Sequence, residues 1–279
     1  MKMRVLTDLS LKAIATGVAC ASLVTMALPG FCDEKDAEDI KSAIFRYQAA
    51  AEQNPSNPVN HVKLGKAYLM SGDVDKAIEA FKAAVKLNSE DPEVYMGLAR
   101  CYGRKNDVQQ ACDSIKEAVR LAPTKAQYHL KYAQLLSRNE KKLDQALQEF
   151  KQAIKLDSKD AAAHRDYGAA LGLKGDFPGQ IAEEKIALTL APDSADAHFY
   201  MGSAYAASNK GSEALPYLQR CVELDKKNAD AYRLLAAIMA SNHKFKEAID
   251  YAQSAVNIHP DNKAYTATLE KIKLASKAK

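Results

Sequence analysis

The chain has 279 residues, 47% of them apolar and 27% charged, and its formal net charge is +4. Charges this close to balance argue against a general binder of nucleic acid or anionic membrane, which needs a strong basic excess. The length admits one or two globular domains, unless an internal repeat replaces the single core by a row of smaller ones.

Residues 1–32 read as an export signal. Lys2 and Arg4, with Lys12, precede an uncharged run at 13–28, and small residues follow. Cleavage is expected after Ala21, or after Gly30 or Cys32 because the run continues to Leu28. The competing outcome is a retained anchor, although the run is shorter than the ~20 residues a spanning helix needs. Lipidation is not expected, since Gly17, Val18 and Ala19 do not form the usual box before Cys20. The protein is therefore expected to be exported, periplasmic or secreted, or membrane-anchored by residues 13–28.

Residues 33–57 begin with Asp33, Glu34, Asp36, Glu38 and Asp39, which suits the positive end of a helix dipole. Ala43, Tyr47, Ala50 and Pro55 then follow the pattern of a second helix in the units downstream. The segment is expected to be a half-repeat that caps the array.

From residue 58 the chain repeats itself. The stretch 58–91 holds two amphipathic runs divided by Gly72-Asp73, with Gly65, Tyr68, Ala77, Phe81 and Ala84 at contact positions. Sliding the chain by one such length superposes Ala99, Tyr102 and Ala111, then Ala133, Ala146 and Phe150, then Gly168 and Ala187, then Gly202, Tyr205 and Ala214, then Ala236 and Ala248. A fixed period of this size means a solenoid. The units are 58–91, 92–125, 126–160, 161–194, 195–228 and 229–262, and 263–279 forms an amphipathic closing helix. Gly72-Asp73, Asn106-Asp107 and Gly175-Asp176 supply a left-handed stop followed by an N-cap. Pro123, Pro192 and Pro260 close second helices.

The period and the Leu-Gly, Tyr, Gly, Ala, Phe, Ala, Pro order resemble the tetratricopeptide repeat family. The resemblance implies an all-α, right-handed superhelical solenoid of antiparallel helix pairs with a C-terminal capping helix. Three places depart from the pattern. The third unit has an extra residue around 138–144, expected in its turn; Gln180 and Glu184 replace alanine and an aromatic in the fourth; and Pro216 in the fifth suggests a late start or a bend.

Chemistry is sparse. His61, His129, His164 and His198 all stand at the fourth place of their units, but no carboxylate or cysteine recurs beside them to complete a metal shell. Structural histidines are the reading, and no metal, cofactor or catalytic residue is assigned. No nucleophile elbow, phosphate loop or His-Glu-Xaa-Xaa-His helix occurs. Cys101 and Cys112 lie on the two helices of one hairpin, either as a disulfide or as two small core residues.

By the same resemblance, the fifth, ninth, twelfth and thirteenth places of the first helices line a concave groove. Lys66, Arg100, Arg104, Arg138, Arg165 and Arg233 stand at these places together with Gln134 and Phe199, and no Asp or Glu does. Such a groove suits an extended peptide with an acidic stretch or a terminal carboxylate. The alternative is that these cations neutralise helix ends or pair with acids between units. The clamp by which some family members hold chaperone tails is absent, since Val62 and Lys66 stand at its first pair.

The expected function is a non-catalytic adaptor for a protein or peptide ligand, with no nucleic acid and with membrane contact only through an uncleaved leader. A scaffold role in an envelope assembly or secretion complex is the alternative. An accessory domain of an enzyme and self-assembly through the array ends are further readings.

Overall fold

A computed structural model describes residues 34–87 and 90–277. The leader at 1–32, with the run 13–28, lies outside the described residues. Among those described there are fourteen α-helices and no strand, and no helix is long and apolar enough to cross a membrane. They are α1 (Glu34–Gln53), α2 (Pro58–Ser71), α3 (Val74–Lys86), α4 (Pro92–Arg104), α5 (Val108–Leu121), α6 (Ala126–Leu136) and α7 (Leu143–Leu156) in one compact unit that ends at Ser158. The other, starting at Lys159, contains α8 (Ala161–Leu173), α9 (Phe177–Leu190), α10 (Ala195–Ala207), α11 (Gly211–Leu224), α12 (Ala229–Ser241), α13 (Phe245–Ile258) and α14 (Lys263–Lys277).

Local chemistry sets the helix ends. Asn57 accepts from the Val59 N–H ahead of Pro58, so α2 starts with a capped first turn. Gly72 stops it at φ 86°, and Asp73 then donates its own N–H to the Tyr68 carbonyl and caps α3 by accepting from Lys76. Gly175 repeats this stop, and Asn106, Asn209 and His243 make it at φ 58°, 57° and 60°. The last two were not anticipated. The extra residue of the third unit is taken up in a 3-10 turn, Glu140–Lys142, capped by Asn139. Of the two outcomes expected at Pro216, the late start is not seen: α11 begins at Gly211 and carries Pro216 inside it.

Within each compact unit every helix packs on the next, and a first helix also meets the following first helix, as α2 meets α4 and α10 meets α12. Small residues allow this. Phe81 is fully buried between Gly65 and Gly97, and a Cβ at Gly65 would stand 2.9 Å from its ring. Leu218 fills the same place beside Gly202. Gln180 and Glu184, which take the places of alanine and an aromatic, are buried. The Gln180 amide donates to the Tyr200 carbonyl at 3.0 Å.

Candidate functional site

In the first compact unit, two of the predicted residues, Lys66 and Arg100, act on an acid that the groove positions do not include. Glu93, in the first turn of α4, accepts from the Lys66 ammonium of α2 at 3.2 Å and from the Tyr128 hydroxyl of α6 at 2.7 Å. The Tyr128 hydrogen bond is the main reason that Glu93 titrates below the usual carboxylate range; Lys66 and Arg100 act in the same direction and burial opposes them. Arg100 itself is exposed. Arg104 donates from Nη1 to the Leu69 carbonyl at 2.7 Å, satisfying a carbonyl in the last turn of α2. Gln134 accepts from Lys131 at 3.0 Å. Arg138, half-buried, lies close enough to Cys112 for its charge to oppose the rise that burial imposes on that thiol.

In the second compact unit the pairing goes further. Arg165 grips Asp166 Oδ1 through Nε and Nη2 at 2.9 and 2.8 Å, and its Nη1 reaches Asp196 at 3.4 Å. Burial opposes the charge on Arg165, but these acids hold it protonated. Arg233 lies over the Tyr265 ring, 5.7 Å from its centroid. The Tyr265 hydroxyl donates to Asp230 at 3.0 Å; burial and that acid push it up to about 12. Phe199 is not on the face. It is 2% exposed, inside a core that includes Leu218 and Leu234.

One contact outside the groove positions thus occurs twice. An acid at the second place of one first helix (Glu93, Asp230) holds a tyrosine at the third place of the next (Tyr128, Tyr265), 35 residues on in both cases. Asp196, at the same second place, takes Arg165 instead. The signal was in the sequence, outside the four groove positions.

The histidine series joins first helices to the turn before them. His61, His129 and His198 each donate from Nε2 to the carbonyl of a proline six residues earlier, Pro55, Pro123 and Pro192, at 2.9 Å. His129 and His164 also meet Glu149 and Glu183 through Nδ1 at 2.7 Å. Among the described residues no three His, Cys, Asp or Glu side chains are placed to hold a metal ion. Cys101, Cys112 and Cys221 are buried free thiols, and burial pushes Cys101 to about 11 and Cys221 to about 12.

Lys66 also borders a cavity of about 540 Å³ between α1 and α2, where Ile40, Ala43 and Tyr47 face Ala67 and Met70.

Comparison with known proteins places the chain in a wider group. A sequence profile described as tetratricopeptide repeat matches residues 62–126, a second of the same description matches 35–83 and 205–272, and one described as TPR repeat matches 137–175. No curated protein matches the chain. A tetratricopeptide repeat protein from Parabacteroides merdae ATCC 43184 is similar over 93% of this chain and 99% of its own at 14% identity, with a TM-score of 0.64. PilW, described as a widely conserved type IV pilus biogenesis factor, is similar over 76% of this chain and 98% of its own at 17% identity, TM-score 0.67. YrrB, described as a TPR protein with an unusual peptide-binding site, is similar over 66% and 95% at 19% identity, TM-score 0.58. At these identities the likeness is one of fold.

Proposed function

The chain belongs to the tetratricopeptide repeat family, and from that premise we propose that it is a non-catalytic adaptor that holds a partner protein along its first helices. An extended, acidic segment of the partner lies across α2, α4 and α6. The observation that carries this reading is the uneven charge of the face. In the first compact unit Lys66, Arg100, Arg104 and Arg138 are set against one acid of the face, Glu93. In the second, Arg165 and Arg233 stand among Asp166, Asp196 and Asp230. A surplus of cations on one stretch draws a carboxylate-rich ligand there, and Arg100 and Arg138 offer planar forks to it. Arg165 and Arg233 hold helices together instead.

Binding of a fluorescent Glu-rich peptide tests the proposal, with Lys66, Arg100 and Arg138 changed together to Ala. Arg104 is left in place because it caps α2. The variant keeps its circular dichroism, binds at least about tenfold more weakly and loses most of the salt dependence. Equal binding by both proteins would remove the acidic-ligand reading.

A second reading, a scaffold component of an envelope assembly or secretion complex, is favoured by the fold shared with PilW and by the export expected from residues 1–32. Subunits retained equally by the parent and the variant in a pull-down from envelope extract would support it. Mass measurement of the N-terminus from the same fraction tests export: a chain starting after Gly30 or Cys32 is the expected product.

A further inference from the structure

Among the described residues α1 stands without a first helix. In the first unit Ala77 and Phe81 of α3 are fully buried, and the unit's own α2 covers them. At the corresponding places α1 has Ala43 and Tyr47, both only half-buried, and both line the 540 Å³ cavity. The cavity is where the repeat would seat a preceding first helix.

The last described helix is the complementary half. Tyr265 and Leu269 hold the third and seventh places of α14 as Tyr128 and Tyr132 do in α6, and Tyr265 takes Asp230 as Tyr128 takes Glu93. Among the described residues α14 has no second helix, and its outward Leu274 is 62% exposed.

We propose that α14 of a second copy of this chain fills the cavity beside α1, so that two half-repeats complete one repeat. Register, polarity and charge support it independently of the acidic-ligand reading. Arg104, at the thirteenth place of α4, touches Leu69, at the twelfth place of α2. By the same register Met70, at the thirteenth place of α2 and 66% exposed, meets the twelfth place of the incoming helix, which is Leu274. Two exposed apolar side chains cover each other.

Paired helices run antiparallel, so the C-terminal half of α14, with Lys271, Lys273 and Lys277, arrives at the end of α1 that carries Glu38 and Asp39. Glu270 stands where the six units have Gly or Ala. It would lie over half-buried Tyr47, next to Arg46, whose guanidinium donates to the Tyr47 hydroxyl at 3.1 Å. An interface of this kind is heterologous, so association continues beyond the dimer.

Sedimentation velocity on the full chain, from micromolar to hundreds of micromolar, tests it. The parent forms dimers and larger species as concentration rises. Met70→Asp and Leu274→Asp change exposed residues, keep their helical spectrum, and each weaken association at least about tenfold. An equimolar mixture of the two variants has one intact cavity and one intact α14, and it gives a dimer and nothing larger. A parent that stays monomeric would overturn the proposal, whether its cavity is empty or covered by its own residues 13–28. So would variants that associate like the parent, through the leader or otherwise, or a mixture that stays monomeric.

Discussion

Glu184 stands where Phe81 and Phe150 stand in other units, and it is as fully buried as they are. Neither of its carboxyl oxygens has a hydrogen-bond partner among the described residues. It lies against α8, close enough that a Cβ at Gly168 would come within 2.8 Å of Oε1. Burial drives its pKa well above the usual carboxylate range; Arg165 of α8 pulls it back, while Asp166 of α8, Asp196 of α10 and its neighbour Glu183 push it further up. The native state therefore keeps a proton that an unfolded glutamate, with a pKa of about 4.3, releases. Stability is full below that value and falls as pH rises toward the folded pKa, by about 1.4 kcal/mol per pH unit. Urea unfolding across this window should show the decline. Glu184→Gln should flatten it. Glu184→Leu, which copies Leu218 of the fifth unit, should also raise stability at mildly alkaline pH by about 1–3 kcal/mol. An unfolding midpoint that does not move with pH in the parent would sink this account.

The helix pair is the unit in which packing is decided, and Phe81 shows how. Its ring lies between two bare helix backbones, at Gly65 of its own first helix and Gly97 of the next, where an added Cβ would run into the ring. Gly97→Leu should therefore destabilise the chain by about 1–3 kcal/mol through overpacking. Combined with Phe81→Ala, the loss should be smaller than the two single losses added, because each change makes room for the other. A strictly additive cycle in chemical denaturation would mean that the two residues do not share a site. This layer was legible in the sequence, because small residues, proline stops and Gly-Asp junctions act within one helix or turn. The stops at Asn209 and His243 were harder to see, since left-handed backbone at a non-glycine residue is set by the whole turn. The acids at Glu93, Asp196 and Asp230 escaped because groove positions describe one stripe of a helix. A tyrosine hydroxyl or guanidinium reaches across to the next stripe, and that reach depends on rotamer rather than on period. Phe199 shows the converse: its ring turns inward to Leu234 and Tyr200 from a position assigned to the surface.

At the scale of the whole molecule, the described residues divide into two compact units on either side of Ser158 and Lys159. In a repeat array stability is approximately a sum of unit and nearest-neighbour contributions, so neither half should depend on the other for its helices. Chains 33–158 and 159–279, made separately, should each be helical and unfold cooperatively, and their two spectra should add up to that of the parent. The function proposed above should then follow the charge. The first half holds Lys66, Arg100, Arg104 and Arg138, and it should bind the Glu-rich peptide with an affinity within about threefold of the parent, or about 0.7 kcal/mol. The second half matches Arg165 and Arg233 with Asp166, Asp196 and Asp230. It should bind the peptide at least about thirtyfold more weakly, or about 2 kcal/mol. Fluorescence anisotropy of the three proteins against one peptide decides the matter. Equal binding by the two halves would mean that paired cations serve as well as surplus ones. Binding by the second half alone would move the ligand to the aromatic helices around Tyr200 and Tyr205.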